Sequence, residues 1–217
     1  MPRITSIEPQ KRKQNRFNIF LEGQFAFGIS SFSLLQNNLK VGKNLTDNEI
    51  AKIISTGELS KLVDIAFKFL SFRPRSEKEV VDYLIKKIST SQHINYSQAK
   101  ESILINRVLT KLKKYSYIND YEFAKWWLAS RVATKKGPRI VKFELIKKGV
   151  DKEIINSVLE NFPNQEELAK LVIRRKIHNW QKLNSKELYK KIYQYLLGKG
   201  FDFETAKNVF AHFTKKR

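Results

Sequence analysis

The chain has no cysteine. That excludes disulfides, thiol nucleophiles and cysteine-ligated zinc, and it suits a reducing compartment. Acidic residues are scarce as well: 21 Asp plus Glu stand against 42 Lys plus Arg, a net charge of +21 over 217 residues. The three histidines, His93, His178 and His212, lack the spacing of metal ligands. There is no GxxxxGK[ST] phosphate loop. A metal-dependent nuclease needs carboxylates that hold two ions about 4 Å apart, and the nearest pair, Asp120 and Glu122, suits a helix cap and its first turn instead. We therefore expect no enzyme and no cofactor or metal. No apolar run approaches the roughly 20 residues of a membrane span. The opening Met-Pro-Arg-Ile-Thr lacks the apolar stretch of a signal peptide. The expectation is a soluble cytoplasmic protein with no membrane partner.

What is present is a core and a strong positive charge. Hydrophobic residues make up 41%, with 15 Phe, 8 Tyr and 3 Trp, which argues against disorder. An excess of cations on this scale suits a polyanionic partner, because charge of one sign repels itself and destabilises a compact chain.

The first 30 or so residues alternate with period two. Phe17, Ile19 and Leu21 form one run, and Phe25, Phe27 and Ile29 form another. Glu22-Gly23 between them suits a tight hairpin turn. Ile4 and Ile7 can add a preceding strand. From Thr46 onward the pattern is helical. Thr46/Glu49 and Ser76/Glu79 have capping-box spacing. Gly57 weakens the first helix, Pro74 interrupts the chain, and the polar stretch Ser89 to Ser97 reads as a loop. Asn119 or Asp120, and then Asp151, suit helix caps, and Gly149 suits a left-handed C-cap.

An internal repeat organises this helical part. ELIKKGVDKEIINSVLENF from Glu144 and YLLGKGFDFETAKNVFAHF from Tyr195 align without a gap, with seven identities in nineteen positions at an offset of 51. They include Leu145/Leu196, Lys148/Lys199, Gly149/Gly200, Asp151/Asp202 and Phe162/Phe213. YLIKKI from Tyr83 is a partial third copy. One short helical trio cannot bury its own apolar faces, so stacked trios are implied. The fold class is mainly α: tandem three-helix repeats forming an elongated curved stack, with a small N-terminal β-element. The expected organisation is a β-hairpin element over 1–45, a connecting helix over 46–61, and three-helix repeats over 62–118, 119–162 and 163–217.

Three segments carry a specific resemblance. FLSFRPRSEKEVVDYLIKK (Phe69 to Lys87), INDYEFAKWWLASR (Ile118 to Arg131) and GPRIVKFELIKKGVDKEII (Gly137 to Ile155) resemble the signature motifs of the RecX family. The resemblance extends over about residues 60 to 215, and the N-terminal segment is similar to the β-element of longer members. The chain departs from the family pattern in the insert Ser89 to Ser97 and in Gly198-Lys199-Gly200, which stands where a more basic pair is expected. The resemblance implies a regulator of the RecA recombinase that acts in DNA repair, homologous recombination and the SOS response. Such a protein binds RecA filaments on single-stranded DNA, and double-stranded DNA as a further ligand. It restrains filament assembly, ATP hydrolysis and strand exchange, and we expect a monomer. The competing reading is a basic DNA-binding protein with helix-turn-helix-like units that acts on naked DNA.

Charge collects in a few places. One cluster is Arg131, Lys135, Lys136, Arg139 and Lys142, around Gly137-Pro138; others are Arg174, Arg175 and Lys176, and Arg73 with Arg75. These three are expected to line one face of the repeats and to touch acidic recombinase surface, DNA phosphates, or both. Lys11, Arg12, Lys13 and Arg16 lie between the first strands. They read either as a solvated turn that guards a sheet edge or as a basic finger on a phosphate backbone. Lys215, Lys216 and Arg217 form a further run. Trp126 and Trp127 are adjacent and cannot share one helix face. Both read as core rather than as base-stacking residues, as do Phe162 and Phe213.

Overall fold

The computed structural model describes residues 1–11, 13–180 and 182–214, without the side chains of Lys13 and Gln14. It divides into two compact units: Met1–Phe72 with Leu84–Tyr115, and Arg73–Tyr83 with the chain from Ser116 on.

In the first unit, β1 (Ile4–Gln10), β2 (Lys13–Leu21) and β3 (Gln24–Ser30) form an antiparallel sheet in the order β1-β2-β3. Ile7 faces Ile19, and Ile19 faces Phe27, so these and Phe17, Leu21 and Ile29 share one face, whereas Phe25, expected with them, is exposed and lies opposite Phe20 past a register shift. Glu22 (φ 48°) and Gly23 (φ 79°) make the turn between β2 and β3, with positive φ at both central residues, as a two-residue hairpin requires. Ile4, Ile19, Phe27 and Ile29 are buried with Leu45 and Ile53. A short helix, α1 (Ser31–Gln36), follows.

Helix α2 (Asp47–Leu70) starts on the Thr46/Glu49 capping box. It runs unbroken where a connecting helix over 46–61 and a separate first repeat helix were expected. Gly57 does not interrupt it, because that residue is buried against the Gly28 carbonyl of β3, and packing outweighs the low helix propensity of glycine. Helix α3 (Glu77–Gln92) continues four residues into the stretch expected as a loop, and α4 (Tyr96–Lys100) fills more of it. Asn95 and Gln98 cap α4 reciprocally, which shortens the turn between the two helices. Helix α5 (Ile103–Lys114) buries Ile105, Val108, Leu109 and Leu112 at helical spacing.

The second unit holds the start of α3 together with α6 (Asp120–Ala133), α7 (Pro138–Lys147), α8 (Lys152–Glu160), α9 (Gln165–Ile177), α10 (Ser185–Gly198) and α11 (Phe203–Thr214). Asn119 caps α6 through the amides of Tyr121 and Glu122. Asp120 accepts from the Glu77 amide at 2.8 Å, so this carboxylate anchors the first turn of α3. Phe123, Trp127, Val141, Leu145, Ile155 and Val158 form one core, and Ile173, Leu188, Ile192, Leu196, Phe201 and Val209 form another. Trp127 is buried. Trp126, Phe162 and Phe213 are half-buried and pack against these cores.

The repeat is visible atom by atom. Leu145 and Leu196 are both fully buried, and Gly149 (φ 74°) and Gly200 (φ 88°) both turn the chain left-handed. Asp151 accepts from the Glu153 amide and Asp202 from the Thr205 amide. Each glycine turn also docks on the start of the corresponding helix of the preceding copy. Ser76 Oγ donates to the Lys148 carbonyl at 2.7 Å. In the next copy the Gly137 amide donates to the Lys199 carbonyl at 2.7 Å, and the Arg139 amide to the Gly200 carbonyl at 3.1 Å. The first unpaired amides of α7 are satisfied by this joint.

Candidate functional site

The structure sorts the cations singled out above into two groups: those bound to the protein's own carboxylates and those facing solvent. The first group surrounds Trp127. Arg73 makes a forked contact with Glu79, at 2.8 Å and 3.1 Å, and Lys148 Nζ lies 2.7 Å from the same carboxylate. Arg131 pairs with Glu144, which also accepts from the Trp127 indole N–H at 2.8 Å. Arg131 lies 4.0 Å and Lys148 4.3 Å from the Trp127 ring centroid, both within cation–π range. Burial pushes the Glu79 carboxyl up, but the hydrogen bonds from Arg73 and Lys148 outweigh it and hold it at about 2. Arg75 is half-buried, and burial, with Arg73 beside it, lowers its proton affinity. A groove of about 390 Å³ over this network is lined by Lys78, Glu79, Asp82, Glu144, Lys147 and Lys148, among others. Arg73 and Arg131 thus tie the first glycine joint together, with their charge already matched.

The second group is mostly exposed. On α7, Arg139, Lys142, Phe143, Ile146 and Lys147 follow at intervals of three and four residues and form one outward face, opposite buried Val141 and Leu145. Phe143 is 56% and Ile146 55% exposed, an apolar pair between cations, and Lys147 Nζ lies 4.4 Å from the Phe143 ring centroid. The side chains of Arg139 and Lys142 have no carboxylate partner among the described residues. Lys135 and Lys136, in the turn before α7, are half-buried, and Lys135 has a positive φ of 57°. Arg174, Arg175 and Lys176 are exposed in the last turn of α9, where cations also complement the helix dipole.

In the first unit, Lys11 is exposed, and Arg16 reaches the Gly28 carbonyl at 3.4 Å across the sheet. Arg12, the Lys13 side chain and the run Lys215, Lys216 and Arg217 lie outside the described residues. The sequence reading did not select Phe143 and Ile146. Their signal was that α7 is apolar on two faces, more than one core requires. It also did not select Glu79 and Glu144 as the partners of Arg73 and Arg131. Among the described residues there is no metal-type cluster of histidines and acids, and no helix is long and apolar enough to cross a membrane.

Comparison with known proteins accounts for this architecture segment by segment. Residues 2–46 match the regulatory protein RecX N-terminal domain, and residues 63–93, 119–159 and 164–210 match the first, second and third three-helix domains of RecX. The regulatory protein RecX of Listeria monocytogenes serotype 4a is 35% identical over 218 residues, covering 99% of this chain and 77% of that protein. This chain belongs to the RecX family.

The RecX of Bacillus subtilis strain 168 is 36% identical over 207 residues, covering 94% of this chain and 74% of that protein. Among solved structures, a crystal structure of regulatory protein RecX superposes with a TM-score of 0.70 at 26% identity, covering 96% of this chain and 98% of the other. The RecX of Lactobacillus salivarius superposes with a TM-score of 0.60 at 27% identity, over 71% of this chain and 95% of that one. The chain is thus a member of a family of regulatory proteins built from a small N-terminal sheet and three-helix domains.

Proposed function

We propose that this RecX protein regulates the RecA recombinase in the cytoplasm, by binding RecA filaments on single-stranded DNA and restraining their assembly, ATP hydrolysis and strand exchange. The observation that carries the reading is the outward face of α7. Arg139, Lys142 and Lys147 surround two large exposed apolar side chains, and Arg139 and Lys142 face solvent without a counterion among the described residues. An apolar pair ringed by cations suits an acidic protein surface that also offers an apolar pocket, since apolar burial holds the contact and charge sets its register. Bare duplex DNA would use the cations and leave Phe143 and Ile146 in water.

The test measures DNA-stimulated ATP hydrolysis by the RecA of the same organism at rising salt, beside binding to the same naked DNA. Inhibition at far less than one protein per recombinase subunit, at salt where naked-DNA binding has faded, is expected. Arg139→Glu with Lys142→Glu should weaken that inhibition about tenfold or more, the equivalent of about 1.4 kcal/mol in binding. An effect that tracks DNA occupancy and fades with salt would establish the other reading, a basic protein that competes for the DNA lattice.

A further inference from the structure

The two glycine joints of the second unit share a backbone geometry and differ in charge. In the first, Lys148 lies on Glu79 and Arg131 on Glu144. The 51-residue repeat places Tyr195 where Glu144 stands, and Lys199 where Lys148 stands. Matching YLIKKI from Tyr83 to ELIKKG from Glu144 places Ile140 where Glu79 stands. Both carboxylates of the first joint are therefore absent from the second, and the lysine has been kept.

The result is an open cationic, aromatic cluster. Lys199 Nζ lies 5.7 Å and Lys176 Nζ 5.9 Å from the Tyr195 ring centroid. Trp180 stands edge-on to Tyr195, with centroids 5.8 Å apart at 80°. Neither lysine has a carboxylate partner among the described residues. Both rings are half-buried and pack against the second core, so each keeps part of its surface in solvent. The hydrogen bonds from Gly137 and Arg139 to Lys199 and Gly200 fix the turn that carries Lys199, so the cluster sits on a rigid joint.

We infer that this second joint binds single-stranded nucleic acid, with Lys176 and Lys199 on successive phosphates and Trp180 and Tyr195 as a surface for an unstacked base. Two cations beside an aromatic pair match a strand whose charge and π-faces are both exposed. A duplex keeps its bases stacked and has no use for the rings. An acidic peptide has no use for two adjoining aromatic faces. The inference deepens the proposed regulatory function, since it names the part of the protein that meets the DNA strand of a filament. It is tested on free oligonucleotide without recombinase, so either can fail alone.

The experiment is fluorescence polarisation of a labelled oligothymidylate of about 16 nucleotides, near the span of one single-strand binding module, titrated with the full chain over a range of salt. Lys176→Gln with Lys199→Gln should make the slope of log affinity against log salt shallower by about 1.4, from about 0.7 per phosphate on a single strand. Charge-matched removal of Lys152 and Lys207, exposed on α8 and α11, should change it by less than a third as much. Oligothymidylate should quench tryptophan fluorescence in the parent chain, and Trp180→Phe should remove most of the quenching. Tyr195→Glu, which restores the first joint's residue, should weaken binding at least tenfold; if that variant melts early, the pair of exposed Lys176 and half-buried Lys199 decides. An unchanged salt slope in the lysine variant would overturn the inference. So would quenching that survives Trp180→Phe, or competition by polyglutamate as strong as by oligothymidylate, which would assign the joint to an acidic protein.

Discussion

Glu79→Gln removes the charge that holds Arg73 and Lys148 together while keeping the shape of the side chain. Holding the carboxyl at about 2 instead of its ordinary 4.5 corresponds to about 3.4 kcal/mol of preference for the ionised form in the folded protein. The partners keep some contact with water, at 28% exposure for Arg73 and 19% for Lys148, and solvent screening reduces the figure to about 2 kcal/mol at pH 7. Because the folded value is depressed, this stabilisation is complete above about pH 4.5 and is lost as the pH falls toward 2. At pH 3.5 roughly two fifths of it should be gone, leaving about 1 kcal/mol. Urea unfolding followed by tryptophan fluorescence measures it, since Trp126, Trp127 and Trp180 all lie in the second unit with Glu79. A deficit equal at pH 7 and pH 3.5, or below about 0.5 kcal/mol at pH 7, within the range of an exposed ion pair, would refute the assignment of the stabilisation to the ionised carboxylate.

Gly137→Ala should cost the second unit about 3 kcal/mol or more, because the new methyl would overlap the Gly200 backbone, which cannot move aside as a flexible side chain would. Gly198→Ala, in open space at the end of α10, should instead be neutral or stabilising by up to about 1 kcal/mol, and thermal melts of the two variants make the comparison. Phe143→Ser with Ile146→Ser should leave the unfolding midpoint nearly unchanged, since both side chains are exposed, yet should reduce inhibition of the recombinase's ATP hydrolysis. A large loss of stability in that variant would show the pair to be structural.

Local rules made much of the fold legible. A cap is a contact across two or three residues, so the boxes Thr46 with Glu49 and Ser76 with Glu79, and the cap at Asp151, could be placed from local sequence. The left-handed turns at Gly149 and Gly200 were legible for the same reason, and their recurrence exposed the repeat. The Asn95/Gln98 box obeys the same rule, but it sits in a polar stretch whose composition pointed to a loop. What was not legible depends on distance along the chain. The continuity of α2 through Gly57 is decided by β3, and the depressed carboxyl of Glu79 by Arg73 together with Lys148, 69 residues further on. A run of basic residues reads the same whether its side chains face solvent or a carboxylate from another helix, so the candidate site was legible as an inventory of cations and not as a surface.

That distinction gives the charge of +21 a physical meaning. Self-repulsion on this scale opposes a compact state, so the few acids matter most where cations converge on a buried contact. Glu79 and Glu144 stand at such a place, beside the buried Trp127, whose indole N–H donates to Glu144. With those two carboxylates in place, Arg73, Arg131 and Lys148 are ion-paired within the protein. Where the repeat replaces them with Tyr195 and Ile140, the same backbone joint is held by amide hydrogen bonds and by Ile140 packed on Gly200, and Lys199 has no carboxylate partner among the described residues. A duplicated joint can in this way keep its backbone geometry while only one copy carries the ion pairs. The sequence position that decides between the two outcomes is the carboxylate, not the lysine that both copies share.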